Sequence, residues 1–171
     1  MRPRWLLLAL WVAGADACSL PENDAVLGLQ KPDRATFAQV ADALQPSCAT
    51  LDCHGQRNRN LRLYGGRGLR LDPGGNSADE PTTDGEYQAS FLSVTGLEPE
   101  ALDAVVKSGG LDPERLALLR KGRGTERHKG GTQMLAGDPL DRCIVSWLAG
   151  RIDSAACSRV SGAERPYNNR P

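Results

Sequence analysis

Large rings are scarce in this chain: two Phe, three Tyr and three Trp in 171 residues, with Trp5 and Trp11 close to the start. So few aromatics support only a small core, and small cores commonly need a staple or a bound group for stability. Charge of one sign is missing too, because 21 Lys and Arg balance 21 Asp and Glu. That balance gives no basic footprint for nucleic acid and no acidic solvating tail. No apolar run has the length needed to span a bilayer comfortably, and no internal repeat is found. No Ser-His-Asp set, paired-carboxylate motif or phosphate-binding glycine loop stands out, so the sequence reads as that of a non-enzyme. Histidine and methionine number two each, which leaves few candidates for any site built on imidazole or thioether. Glycine and proline, at 19 and 11, are plentiful and predict long loops.

The N-terminus reads as an export signal over residues 1–17. Met1-Arg2-Pro3-Arg4 is basic, Trp5 to Ala15 is apolar, and Ala15-Asp16-Ala17 offers a small-x-small cleavage pattern. Cleavage there makes Cys18 the first residue of the mature chain, the position at which bacterial lipoproteins are acylated. Ala15 and Asp16 depart from the preferred lipobox residues. The expectation is still a lipid anchor at Cys18 and a location on the periplasmic face of a bacterial membrane, including the outer membrane. Residues 18–33 are polar, contain proline and show no periodicity, so they read as a tether.

The chemistry-bearing stretch is Cys48-Ala49-Thr50-Leu51-Asp52-Cys53-His54-Gly55. Two thiols followed directly by His form the arrangement that attaches haem c: each sulfur adds across a vinyl group, and the imidazole coordinates iron. Without Cys18, four cysteines remain: Cys48, Cys53, Cys143 and Cys157. In an oxidising compartment they can serve as two thioethers and one disulfide, or as two disulfides.

Arg34 to Gln45 carries Phe37, Val40, Ala41 and Leu44 at helical spacing, and Pro46 is expected to end or bend that helix. Leu61 to Tyr64 and Leu69 to Leu71 alternate, predicting short extended pieces and one small hairpin through Gly65-Gly66. Thr83 with Glu86 is a capping-box signature for a helix with Tyr87, Phe91 and Leu92 inward. A helix from Pro99 should bury Leu102, Val105 and Val106 and stop at Gly109-Gly110. Asp112-Pro113 opens another, running through Leu116 and Leu119 to Gly122. Asp138-Pro139 repeats that start, with Leu140, Cys143, Ile144, Trp147 and Leu148 on one face. The predicted fold is therefore mostly α, a helical domain over residues 34–157 with long Gly/Pro-rich loops and a flexible tail over 158–171.

This order of elements resembles the divergent single-haem cytochrome c domains of bacterial envelope proteins, of the planctomycete and myxobacterial kind. The residues that carry the resemblance are Phe37 and Val40, the Cys53-His54-Gly55 exit, Gly68-Leu69-Arg70-Leu71, His128-Lys129-Gly130-Gly131, and Cys143 to Leu148. It spans residues 34–152 in element order. The four residues between Cys48 and Cys53 depart from the commonest spacing of two. The resemblance implies a covalent haem c on Cys48 and Cys53, with His54 as proximal iron ligand. Gly55 would let the backbone pass close to the porphyrin. The distal ligand is expected from the loop before the last helix, His128 ahead of Met134. A Cys143–Cys157 disulfide would staple the last helix to the tail. Arg57, Arg59, Arg62, Arg67 and Arg70 form a locally positive loop, solvated by default and able to meet haem propionates or an acidic partner.

Two functions follow from these residues. One is an electron carrier with a redox partner protein in the envelope and no nucleic-acid partner. The alternative is a haem-free envelope lipoprotein of the same shape, with Cys48–Cys53 and Cys143–Cys157 disulfides and a binding or scaffolding role. A zinc site of Cys48, Cys53, His54 and His128 is the poorest reading, because adjacent Cys53 and His54 reach one tetrahedral ion with difficulty.

Overall fold

The computed structural model describes residues 28–74 and 80–161. The expected export signal, Cys18, the first part of the expected tether and the end of the tail lie outside them. Among the described residues the chain forms six helices and one short 3-10 turn, with no β-strand. The mostly α class is as the sequence predicts.

Helix α1 (Phe37–Cys48) buries Phe37, Val40, Ala41 and Leu44, the stripe legible in the sequence. It does not stop at Pro46. That proline lies in the last turn, where it removes one donor while the Ala49 amide still reaches the Gln45 carbonyl at 3.3 Å. Cys48 is consequently the last helical residue, and its position is set by a packed helix.

Helix α2 (Asp84–Thr95) opens with the expected box: the Glu86 amide donates to Thr83 Oγ1 at 3.3 Å and the Thr83 amide to Glu86 Oε2 at 2.9 Å. Its inner face is Glu86, Ser90, Phe91, Val94 and Thr95. Leu92, expected inside, is 51 % exposed because that face rotates it outward. Helix α3 (Pro99–Lys107) buries Leu102 and Val105, with Val106 half-buried, and ends at Gly109 and Gly110, both at positive φ. The next stretch is broken rather than continuous. A 3-10 turn (Pro113–Arg115) is separated from α4 (Ala117–Gly122) by Leu116, extended at φ −90°, ψ 130° and buried.

Helix α5 (Pro139–Leu148) starts from the Asp138 cap and buries all five predicted residues. Helix α6 (Ser154–Ser161) was not foreseen, since the sequence reading ended the domain at Cys157. It packs on α1 and α5, buries Val160, and is joined to α5 by a Cys143–Cys157 disulfide with Cα atoms 4.8 Å apart.

Phe37, Phe91 and Trp147 meet at the centre, with ring centroids 5.2 to 6.3 Å apart, and so tie α1, α2 and α5 together. Trp147 Nε1 donates to the Asp33 carbonyl at 2.8 Å, which fastens the end of the tether to the core. The expected hairpin reduces to an isolated bridge between Tyr64 and Leu69, closed by the Gly65 amide on the Leu69 carbonyl at 2.9 Å.

Candidate haem-binding site

The loop after α1 folds back on itself at once. The Cys53 and Gly55 amides both donate to the Thr50 carbonyl, at 2.9 and 3.0 Å, and the His54 amide donates to the Cys48 carbonyl at 2.9 Å. Of the four residues between the cysteines, Ala49 is buried in the core while Leu51, 62 % exposed, and Asp52 turn outward, and the Cys48 carbonyl meets the His54 amide. Cys48 and Cys53 are both half-buried thiols. Ser47 Oγ and Thr50 Oγ1, on either side of Cys48 in sequence, are buried and have no hydrogen-bond partner.

Gly55 is needed by the backbone itself. A Cβ there would stand 2.2 Å from the Ala49 carbonyl oxygen, and one on Gly68 would stand 1.8 Å from the same atom. The chain crosses itself at these two glycines, so Gly55 makes room for backbone.

His54 is half-buried and its orientation is fixed: Nδ1 donates to the Leu61 carbonyl at 3.1 Å, and the Leu63 amide returns to the His54 carbonyl at 2.9 Å. Burial pushes its pKa below the usual histidine value. The Leu61 carbonyl opposes that shift, and the neighbouring His128 and the charges of Arg59 and Lys121 add to it. The ring is therefore neutral at neutral pH.

His128 stands in the loop between α4 and α5. Met134 and Gln133 close the base of that loop by donating to the Gly122 carbonyl at 3.1 and 2.8 Å. His128 Nδ1 donates to the Gly131 carbonyl at 3.3 Å, and a Cβ on Gly130 would come within 2.8 Å of the ring. This geometry brings the chain's two histidines face to face, with ring centres 5.8 Å apart and planes 9° from parallel.

That approach gathers both imidazoles at the Cys53–His54 end of the cysteine loop. Rings this close and this parallel have the spacing of an aromatic pair. A carbonyl only accepts, so each Nδ1 carries a proton and Nε2 is the nitrogen left free of the backbone, the arrangement that second-shell carbonyls give to metal-ligating histidines. The donor set present fits a haem iron, which takes four ligands from the porphyrin and needs two from protein. Among the described residues, no group of three or more His, Cys, Asp and Glu is placed to hold a metal ion on its own.

Met134, the other candidate distal ligand, is 4 % exposed and belongs to the hydrophobic core, where its side chain packs at Gly122. The arginines of the post-motif loop divide. Arg70 is not solvated: it is 7 % exposed and grips Glu86. Arg59 donates to the Cys53 and Asp52 carbonyls at 3.2 and 3.4 Å, bracing the motif loop. Arg57, Arg62 and Arg67 are exposed. Lys121, which adds charge near His54, was missed in the sequence because only the fold of α4 carries it there. No family model, curated protein or solved structure matches this chain.

Proposed function

We propose that this chain is an electron-transfer protein of the cell envelope carrying one c-type haem, attached through Cys48 and Cys53 and ligated by His54 and His128. The observation that carries the reading is the pair of histidines: the only two in the chain, parallel at 5.8 Å, each with Nδ1 on a backbone carbonyl. When bound, the haem supplies a one-electron ferric/ferrous couple. Cys48, at the end of α1, and Cys53, in the loop braced by Arg59, provide the two sulfurs. Leu61 and Gly131 hold the two imidazoles in the tautomer that presents Nε2. A neutral His54 is ready to donate its lone pair without first losing a proton.

Two imidazoles set a lower potential than His with Met. If His54 and His128 both bound the iron, no coordination site would be left for a substrate, and the haem would carry electrons without acting on one. The Cys143–Cys157 disulfide accords with export to an oxidising compartment. Lipidation at Cys18, which lies outside the described residues, completes this reading by holding the domain at a membrane beside its redox partner.

The test is expression in a host able to attach haem c, followed by the absorbance of denatured, reduced protein in alkaline pyridine. The haemochrome of a doubly thioether-linked haem is expected. A colourless protein with the mass of the polypeptide and lipid alone would end this reading.

A further inference from the structure

We infer that the cleft beside the cysteine loop is the docking surface for an acidic protein partner, received on Arg57, Arg59 and Arg62. The cleft has a volume of about 520 Å³ and is lined by these arginines with Asn58 and Asn60 between them, closed by Gly96 and Leu97 at the α2–α3 turn. No acidic residue lines it among the described residues. The local charge departs sharply from that of a chain with no net charge: from 53 to 71 the sequence has five arginines and no Asp or Glu. Of those five, Arg70 is taken up by Glu86, whereas Arg57 and Arg62 enter no ion pair among the described residues.

The cleft is also fixed in place. The Arg62 amide donates to Ser93 Oγ on α2 at 2.7 Å, and Arg59 is anchored on the Cys53 carbonyl at 3.2 Å. An acidic surface seated here would lie against the loop that bears Cys53 and His54. Three guanidinium groups spread along six residues, interleaved with amide side chains, suit several carboxylates on a folded face better than one compact phosphate. Charge complementarity of this kind raises the rate of encounter and falls with ionic strength. The choice of a redox protein as occupant rests on the electron-carrier reading; the surface itself does not.

The experiment titrates the full chain with a short fluorescent polyglutamate peptide and follows anisotropy at low and high salt. Wild type is expected to bind, more weakly as salt rises. The double variant Arg57→Gln/Arg62→Gln is expected to lose roughly three- to tenfold in affinity. Arg115→Gln/Arg151→Gln removes the same charge from exposed sites elsewhere and should leave binding unchanged. Absence of binding by wild type overturns the inference, as does an equal loss in both double variants. Tighter binding of a single-stranded oligonucleotide than of the peptide overturns the class of partner. The assay needs no haem. Peptide binding that depends on Arg57 and Arg62 in a colourless protein upholds the surface while the carrier reading falls. A haem-loaded protein that ignores the peptide overturns the surface alone.

Discussion

Arg70 and Glu86 form a two-pronged buried ion pair, Nε to Oε1 at 2.8 Å and Nη2 to Oε2 at 3.0 Å, with Glu86 fully enclosed. The same carboxylate accepts from the Thr83 and Leu71 amides at 2.9 and 3.1 Å, so one side chain caps α2 and pins the loop that follows the cysteine motif. Burial alone would raise the Glu86 pKa. The hydrogen bonds from Thr83, Leu71 and Arg70, with the Arg70 charge, outweigh it and hold the carboxyl below its ordinary 4.5.

The pair predicts an acid-sensitive fold. A carboxyl with a depressed folded pKa contributes stability that is present above its unfolded value of 4.5 and is lost as pH falls through the folded value. Glu86→Gln leaves Arg70 buried without its counter-charge and should cost about 3–5 kcal/mol near neutral pH. Urea unfolding of wild type and variant across the acid range checks this. The gap between them should narrow below pH 4.5, and a gap independent of pH would show that the carboxylate charge is not the stabilising element.

The disulfide supplies a second prediction. Cys143 and Cys157 enclose a separation of 14 residues, for which loop closure predicts about 3 kcal/mol. Cys143→Ala/Cys157→Ala should lower the unfolding midpoint accordingly, and reductant should then have no further effect on α6. Hydrogen exchange over α6 is the local readout. Unchanged protection there would mean that Val160 and the contacts with α1 suffice to hold it.

Trp147 gives a third. Trp147→Phe keeps most of the ring contacts with Phe37 and Phe91 but deletes the donor to the Asp33 carbonyl, a loss of about 0.5–1.5 kcal/mol plus the smaller volume. Trp147→Ala should cost about 3–5 kcal/mol, because the ring packs on Phe37 and Phe91 and is 1 % exposed. Thermal unfolding ranks the two. Equal destabilisation would place the whole effect in the Asp33 bond.

What was legible in the sequence was periodic or capped. Phe37, Val40, Ala41 and Leu44 announce α1, Thr83 with Glu86 announces α2, and Asp138-Pro139 announces α5 together with its five inward residues. What was not legible depends on contacts between distant segments. Helix α6 has a short, weak stripe of Ala156, Cys157 and Val160, and exists by packing on α1 and α5. Leu92 looked inward by spacing, yet the core face of α2 is set by a buried carboxylate whose partner, Arg70, lies outside the helix. The backbone crossing of Ala49 and Gly68 at Gly55 likewise leaves no local signal in the sequence. At the site, His54 and His128 were both nameable from sequence. Their parallel approach and the carbonyls that orient them follow only from how two loops close.

The distal ligand is the prediction on which the candidate site turns. His128 faces His54 at 5.8 Å, while Met134 is buried in the core at the end of α4. In haem-loaded protein, His128→Ala should open a coordination position and convert the iron to a high-spin spectrum. Met134→Leu conserves volume and should cost less than about 1.5 kcal/mol while leaving the spectrum nearly unchanged. His54→Ala should disturb the spectrum as strongly as His128→Ala, since the proposal gives both imidazoles to the iron. Ferric absorption and electron paramagnetic resonance of the three variants decide the assignment. Loss of the low-spin signal in Met134→Leu, with His128→Ala unaffected, would give the iron to the thioether and raise the expected potential. Indifference of the spectrum to both changes would remove the ligand from the α4–α5 loop altogether.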